Sequence, residues 1–274
     1  MKQKNYKKND TIFYLSDDFN LPLDNKIIKN CSKFKEIQFG YEFNQNINKL
    51  PERIKKIIFK CNSYSYLRKK IKYYCGHRSS ATKFNHKINT LPKFLKSLFI
   101  YSVFNFKINY LPNMLNSLII GDKFNKNIFY LSSSLNMLDL GNHNTFVFSC
   151  YNKKLRNLPN SINNLSVKRL NDENVRKLPL KLNKIYAKSF ECNKNKCFLP
   201  INLNRLEICI QFIYDIEDTV LELKFNNNLQ ELLIYRNYDY SSDEMSDEEI
   251  IDDVNSIYPL INITHEHYES ICTC

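Results

Sequence analysis

The apolar positions of this chain recur with a period too long for one strand or helix. Residues 91–110 read LPKFLKSLFIYSVFNFKINY and residues 111–130 read LPNMLNSLIIGDKFNKNIFY. The two stretches align without a gap. Leu91 matches Leu111, Leu95 matches Leu115, Leu98 matches Leu118 and Ile100 matches Ile120. Phe104, Asn105 and Ile108 match Phe124, Asn125 and Ile128. The offset, 111 minus 91, is 20 residues. An in-register repeat of that length marks a solenoid, in which one short unit buries its apolar edge only against copies of itself.

Within a unit the pattern changes. From Leu98 the chain alternates, with Leu98 and Ile100 pointing one way and Ser97, Phe99 and Tyr101 the other, which predicts a short strand. Strands of successive units must pair, because an isolated strand leaves its backbone groups without partners. The predicted fold is therefore a repeat solenoid with a curved, leucine-rich-repeat-like parallel sheet and little α-helix. Twenty residues leave no room for a full helix on the return path, so short extended or 3-10 convex segments are expected there. The Pro that follows the opening Leu fits a turn outside the ladder, where its missing N–H breaks no bond.

Further units are predicted at about Asn30, with Phe34, Ile37, Phe39, Phe43 and Ile47, and at Leu50, Leu67, Leu131, Leu158, Leu178 and Leu199, with a weak last one around Leu229. About ten units, at ~4.8 Å per strand, would form a rod roughly 48 Å long. Residues 1–29 read as a basic lead and a degenerate capping unit, residues 30–238 as the array, and residues 239–274 as an acidic, disordered tail. The asparagine after each Phe, at positions 44, 85, 105 and 125, is expected to bond the backbone of a neighbouring unit.

The motif LPxxLxxLxxGxxFNxxI resembles the FNIP repeat, a relative of leucine-rich repeats found in social amoebae and in giant DNA viruses that infect amoebae. Phe43-Asn-Gln-Asn-Ile47, Phe84-Asn-His-Lys-Ile88, Phe104-Asn-Phe-Lys-Ile108 and Phe124-Asn-Lys-Asn-Ile128 carry the resemblance, without the Pro that usually precedes the Ile. The resemblance implies an intracellular binding scaffold without catalysis, in host cytoplasm or nucleus if viral. Some similar proteins place an F-box ahead of the repeats, which implies substrate recognition for a ubiquitin ligase. Here about 29 residues precede the first clear unit, too few for such a domain.

Alignment of the units places a row of outward side chains on the concave face. The partner-binding residues expected there are Tyr73, Phe99, Tyr101, Ile119, Met137, Lys168, Lys184, Tyr186, Lys188 and Arg205. Phe99, Tyr101 and Ile119 are expected to be exposed, next to a basic patch formed by the lysines and Arg205. A protein partner is the first expectation. Charge supplies the alternative. From Asp239 onward there are ten acidic residues and no Lys or Arg, so residues 1–238 carry 40 basic and 18 acidic groups, a net of +22. A body of that charge also suits a nucleic acid or another polyanion.

Other chemistry is sparse. Nine cysteines at irregular spacing point to free thiols in a reducing compartment. No phosphate loop, nucleophile elbow or metalloprotease motif occurs, so neither an enzyme nor a cofactor is expected. The pattern H-x-H-x4-C-x-C at His265, His267, Cys272 and Cys274 fits no common zinc spacing, and no metal site is assigned. Ser241 and Ser246 each precede an acidic residue by three positions and are candidate phosphorylation sites. No stretch approaches the ~18 apolar residues that span a bilayer.

Overall fold

A computed structural model describes residues 6–8, 11–60, 82–121, 123–140, 151–155, 157–191, 199–210, 228–237 and 262–268. It is a solenoid with very little helix. The strands are β1 (Tyr6–Lys8), β2 (Ile12–Leu15), β3 (Glu36–Phe39), β4 (Lys56–Phe59), β5 (Ser97–Ile100), β6 (Ser117–Ile120), β7 (Met137–Asp139), β8 (Asn164–Asn171), β9 (Lys184–Glu191), β10 (Arg205–Ile210), β11 (Glu231–Asn237) and β12 (Asn262–Tyr268). They form one sheet in sequence order. Every neighbouring pair from β2 to β12 is parallel, and β1 closes the first edge by pairing antiparallel with β2. Two short helices, α1 (Asn25–Cys31) and α2 (Asp172–Val175), lie between strands. Asp24 caps α1, its Oδ1 accepting the Ile27 amide at 2.7 Å.

The template positions fill the interior. Leu95, Leu98, Ile100 and Phe104 are fully buried, as are Leu115, Leu118 and Ile120, with Ile108 and Phe124 nearly so. Leu91, Leu111 and Ile128 pack half-buried against this core. The residue after Leu is the acceptor of a tight turn. The amides of Ile54, Leu95, Leu115, Ile162, Leu182 and Leu203 donate to the carbonyls of Pro51, Pro92, Pro112, Pro159, Pro179 and Pro200 at 2.9–3.1 Å. Where Ser132 replaces Pro, its carbonyl accepts the Leu135 amide in the same way at 3.0 Å. The proline thus keeps a carbonyl for the turn while giving up only an amide that the ladder does not use.

Two ladders run along the stack. The rings of Phe19, Phe43, Phe84, Phe104, Phe124 and Tyr151 follow one another with centroids 5.9–6.4 Å apart and planes within 5–16°. Beside them, the Oδ1 atoms of Asn20, Asn44, Asn85, Asn105 and Asn125 accept the backbone amides of Asn44, Asn85, Asn105, Asn125 and Asn152 at 2.8–3.2 Å. The expected asparagine ladder is present. It is also longer than expected, because Phe19-Asn20 and Tyr151-Asn152 are variants of the Phe-Asn pair. Glycine serves the close approach of rungs: a Cβ on Gly40 would stand 2.2 Å from the Ser16 carbonyl oxygen.

Two expectations differ from the structure. The unit expected at Leu67 lies outside the described residues, and the strand before it, β4, pairs directly with β5, Lys56 opposite Ser97 and Phe59 opposite Ile100. Residues 50–60 and 82–90 instead form one unit, closed where Thr82 Oγ1 donates to the Lys60 carbonyl. At the first edge Tyr6–Lys8 pairs with Phe13–Leu15, within the residues read as lead and capping unit. The sheet also does not stop before residue 239, because β12 continues it in full register with β11. Residues 239–261, including Ser241 and Ser246, lie outside the described residues.

Candidate binding surfaces

The register of the sheet fixes which side chains share its outer face. Gln38, Ile58, Phe99, Ile119, Asp139, Ser166, Tyr186 and Glu207 stand opposite one another from β3 to β10. The flanking row runs through Lys56, Ser97, Ser117, Met137, Asn164, Lys184 and Arg205. Phe99, Ile119, Met137, Lys184, Tyr186 and Arg205 therefore belong to one surface, as the alignment of units predicts. Lys168 and Lys188 are brought opposite each other between the Val167–Ala187 and Arg169–Ser189 pairs. Tyr73 lies outside the described residues.

The centre of this face differs from expectation in one respect. Phe99, Tyr101 and Ile119 point away from the main core, yet they are only 9%, 5% and 5% exposed. With Ile58 they form a second hydrophobic cluster, against which Met137 packs. The Phe99 and Tyr101 rings meet at 6.3 Å and 55°, and the Lys56 ammonium lies 5.7 Å from the centre of the Phe99 ring. Outward side chains one rung apart stand at strand spacing, about 4.8 Å, and pack onto each other. The sequence pattern fixed their direction and could not fix their accessibility.

Further along, the row turns polar. Asp139 and Ser166 are buried, and the Ser166 hydroxyl meets no hydrogen-bond partner among the described residues. Tyr186 and Glu207 are half-buried. Arg205 is held as a fork, Nε on Glu207 Oε1 and a terminal guanidinium nitrogen on Glu231 Oε2, both at 2.7 Å. Burial opposes its charge, but the two carboxylates outweigh that and push the guanidinium pKa up. Lys56 likewise pairs with Glu36 at 3.4 Å. The basic patch expected here is thus partly neutralised from within the sheet, whereas Lys184 remains exposed.

The exposed apolar surface lies elsewhere, on the turns and return path of the units that carry β5 and β6. Tyr110 is 78% exposed and Tyr130, one rung on, 73%. Phe129, Phe94 and Met114 are about half exposed. Lysine ammonium groups lie over two of these rings, Lys93 4.8 Å from the centre of Phe94 and Lys107 5.3 Å from that of Phe129. A signal was present in the sequence: Tyr110 aligns with Tyr130, in a column that the core does not use.

Among the described residues no cluster of three or more His, Cys, Asp or Glu side chains could hold a metal ion, and no helix is long and apolar enough to cross a membrane. No family model matches the chain, and no curated protein matches it.

Proposed function

We propose that this protein is a non-enzymatic scaffold built from FNIP-type repeats, which binds a partner protein on the outer face of its sheet inside the cell. The observation that carries the proposal is the second hydrophobic cluster. A sheet face made for water alternates to polar residues, whereas strands that read apolar on both faces are those covered on both faces. The strands KIIF, SLFI and SLII have that character, and Ile58, Phe99 and Ile119 are its outward members. Beside them Met137, Tyr186, Lys184 and Arg205 supply an apolar-to-charged margin, the usual composition of a recognition surface.

Binding by such a surface needs no moving part. The rungs locked by the two internal ladders, which run from Phe19-Asn20 to Tyr151-Asn152, present Ile58, Phe99, Ile119 and Met137 in fixed rows, so little order is lost on docking there. The test is affinity capture with the full chain and with a Lys184→Glu, Tyr186→Ala variant, followed by identification of the proteins retained. Loss of the same protein from the variant, with an unchanged far-UV spectrum, supports the proposal. Equal retention by both forms overturns it.

A further inference from the structure

The return side of the units carrying β5 and β6 has a character that protein docking on the opposite, sheet side does not use. Its exposed large side chains are mainly aromatic: Phe94, Tyr110, Phe129 and Tyr130, with Phe106 at 40% and Met114 alongside. Its charge is predominantly positive: residues 82–131 hold seven lysines against a single acidic residue, Asp122. Lys87, Lys93, Lys96, Lys107, Lys123 and Lys126 are all exposed, and no carboxylate among the described residues pairs with them. Carboxylates of the preceding units reach in at Lys83, whose ammonium meets Glu42 Oε2 at 2.7 Å, and at the Lys93 backbone amide, which donates to Glu52 Oε2 at 2.6 Å.

From this arrangement we infer that the return side of these units binds single-stranded nucleic acid, its bases stacking on the exposed rings and its phosphates lying against the lysines. Aromatic faces interleaved with ammonium groups are the elements of a sequence-tolerant single-strand site. The Lys107–Phe129 and Lys93–Phe94 contacts hold a cation directly beside a ring, so one position can engage a phosphate and the adjoining base together. The step between rungs selects against a duplex. Equivalent rings inside the stack are 5.9–6.4 Å apart, whereas paired bases rise by about 3.4 Å per strand position. Rings at the rung step meet one base each only if the bases are unstacked and splayed, as in single strands. An acidic peptide would satisfy the lysines but would leave the flat ring faces without matching partners.

The experiment is fluorescence anisotropy of the full chain with a labelled twelve-nucleotide oligouridylate, a duplex of equal length and labelled polyglutamate, over a salt series. The oligouridylate is expected to bind more tightly than either competitor, with a logarithmic salt slope of about −0.7 per phosphate neutralised. The variant Tyr110→Ala, Phe129→Ala, Tyr130→Ala removes only exposed rings and is expected to weaken oligouridylate binding at least tenfold while leaving the salt slope and far-UV spectrum unchanged. Lys107→Gln with Lys126→Gln is expected to shrink the slope. Polyglutamate binding as tight as oligouridylate, an unaffected triple variant, or no binding at low salt would each overturn the inference.

Discussion

The Oδ1 atom of Asn105 accepts the backbone amide of Asn125 at 2.9 Å, across a gap of 20 residues. The same atom of Asn85 holds the amide of Asn105 at 3.2 Å. Each asparagine therefore uses its side chain on the next rung and gives its amide to the previous one. Asn105→Ala leaves the Asn125 amide without its acceptor and is expected to cost about 1–3 kcal/mol, the penalty for a part-buried donor left unpaired. Urea unfolding of the variant measures it. Asn105→Asp, which keeps the acceptor, is expected to recover most of the loss.

The aromatic ladder beside it makes a larger contribution. Phe104 is fully buried and sits 5.9 Å from Phe84 and 6.1 Å from Phe124. Phe104→Ala is expected to destabilise by about 3–5 kcal/mol, and Leu118→Ala by about 2–5 kcal/mol. Tyr110→Ala, in an exposed position of the same unit, is expected to stay within about 0.5 kcal/mol. Thermal melts of the three variants should rank in that order.

Thr82 and Lys60 are joined directly, through the Thr82 hydroxyl and the Lys60 carbonyl. The chain between them enters and leaves at a single point of one unit. Replacing residues 61–81 by a short Gly-Ser linker is therefore expected to preserve the sheet. The measurement is the far-UV spectrum and melting temperature of the shortened chain. Loss of cooperative melting would mean that the excised residues supply a rung.

Two buried groups set an alkaline limit on stability. Burial pushes the Cys31 thiol from 9.0 up to about 11, a backbone hydrogen bond from Cys31 itself opposing this in part, and pushes the Tyr151 phenol from 10.0 up to about 12. The folded chain holds both protons more tightly than the unfolded chain. Stability from these groups is complete below pH 9 and declines as pH rises toward 11 and 12. Urea midpoints at pH 8, 10 and 11 should fall in that order, and Cys31→Ala, Tyr151→Phe should flatten the decline. In the folded chain at pH 8, Cys31 should also resist alkylation.

The parts of this fold legible in the sequence are those that the repeat itself enforces. The matched columns at Leu98 and Leu118, Ile100 and Ile120, and Asn105 and Asn125 gave the parallel register and the asparagine ladder, because each column faces its own copy. What failed was local mimicry. Leu67, Ile71 and Tyr74 fall at template intervals, yet β4 pairs directly with β5. β12 is hidden in the sequence for the opposite reason: NITHEHY offers few apolar residues, and its place comes from pairing with β11. At Phe99 and Ile119 alternation gives the direction of the outer side chains but not their exposure, since it says nothing about what packs beside them. The exposed rings at Tyr110 and Tyr130 occupy a column without a core role, so core periodicity does not mark them.

Spin-label distances along the stack test the account most directly. With one label at position 36 on β3 and the second at 184 on β9 or 231 on β11, the labels stand six or eight strand steps apart. At about 4.8 Å per step the separations are expected near 29 and 38 Å, shortened only by curvature of the sheet. Two distances that grow with the number of strands between the labels are the predicted result. Equal distances, or a shorter one for the pair farther along the chain, would contradict the solenoid and every inference built on it.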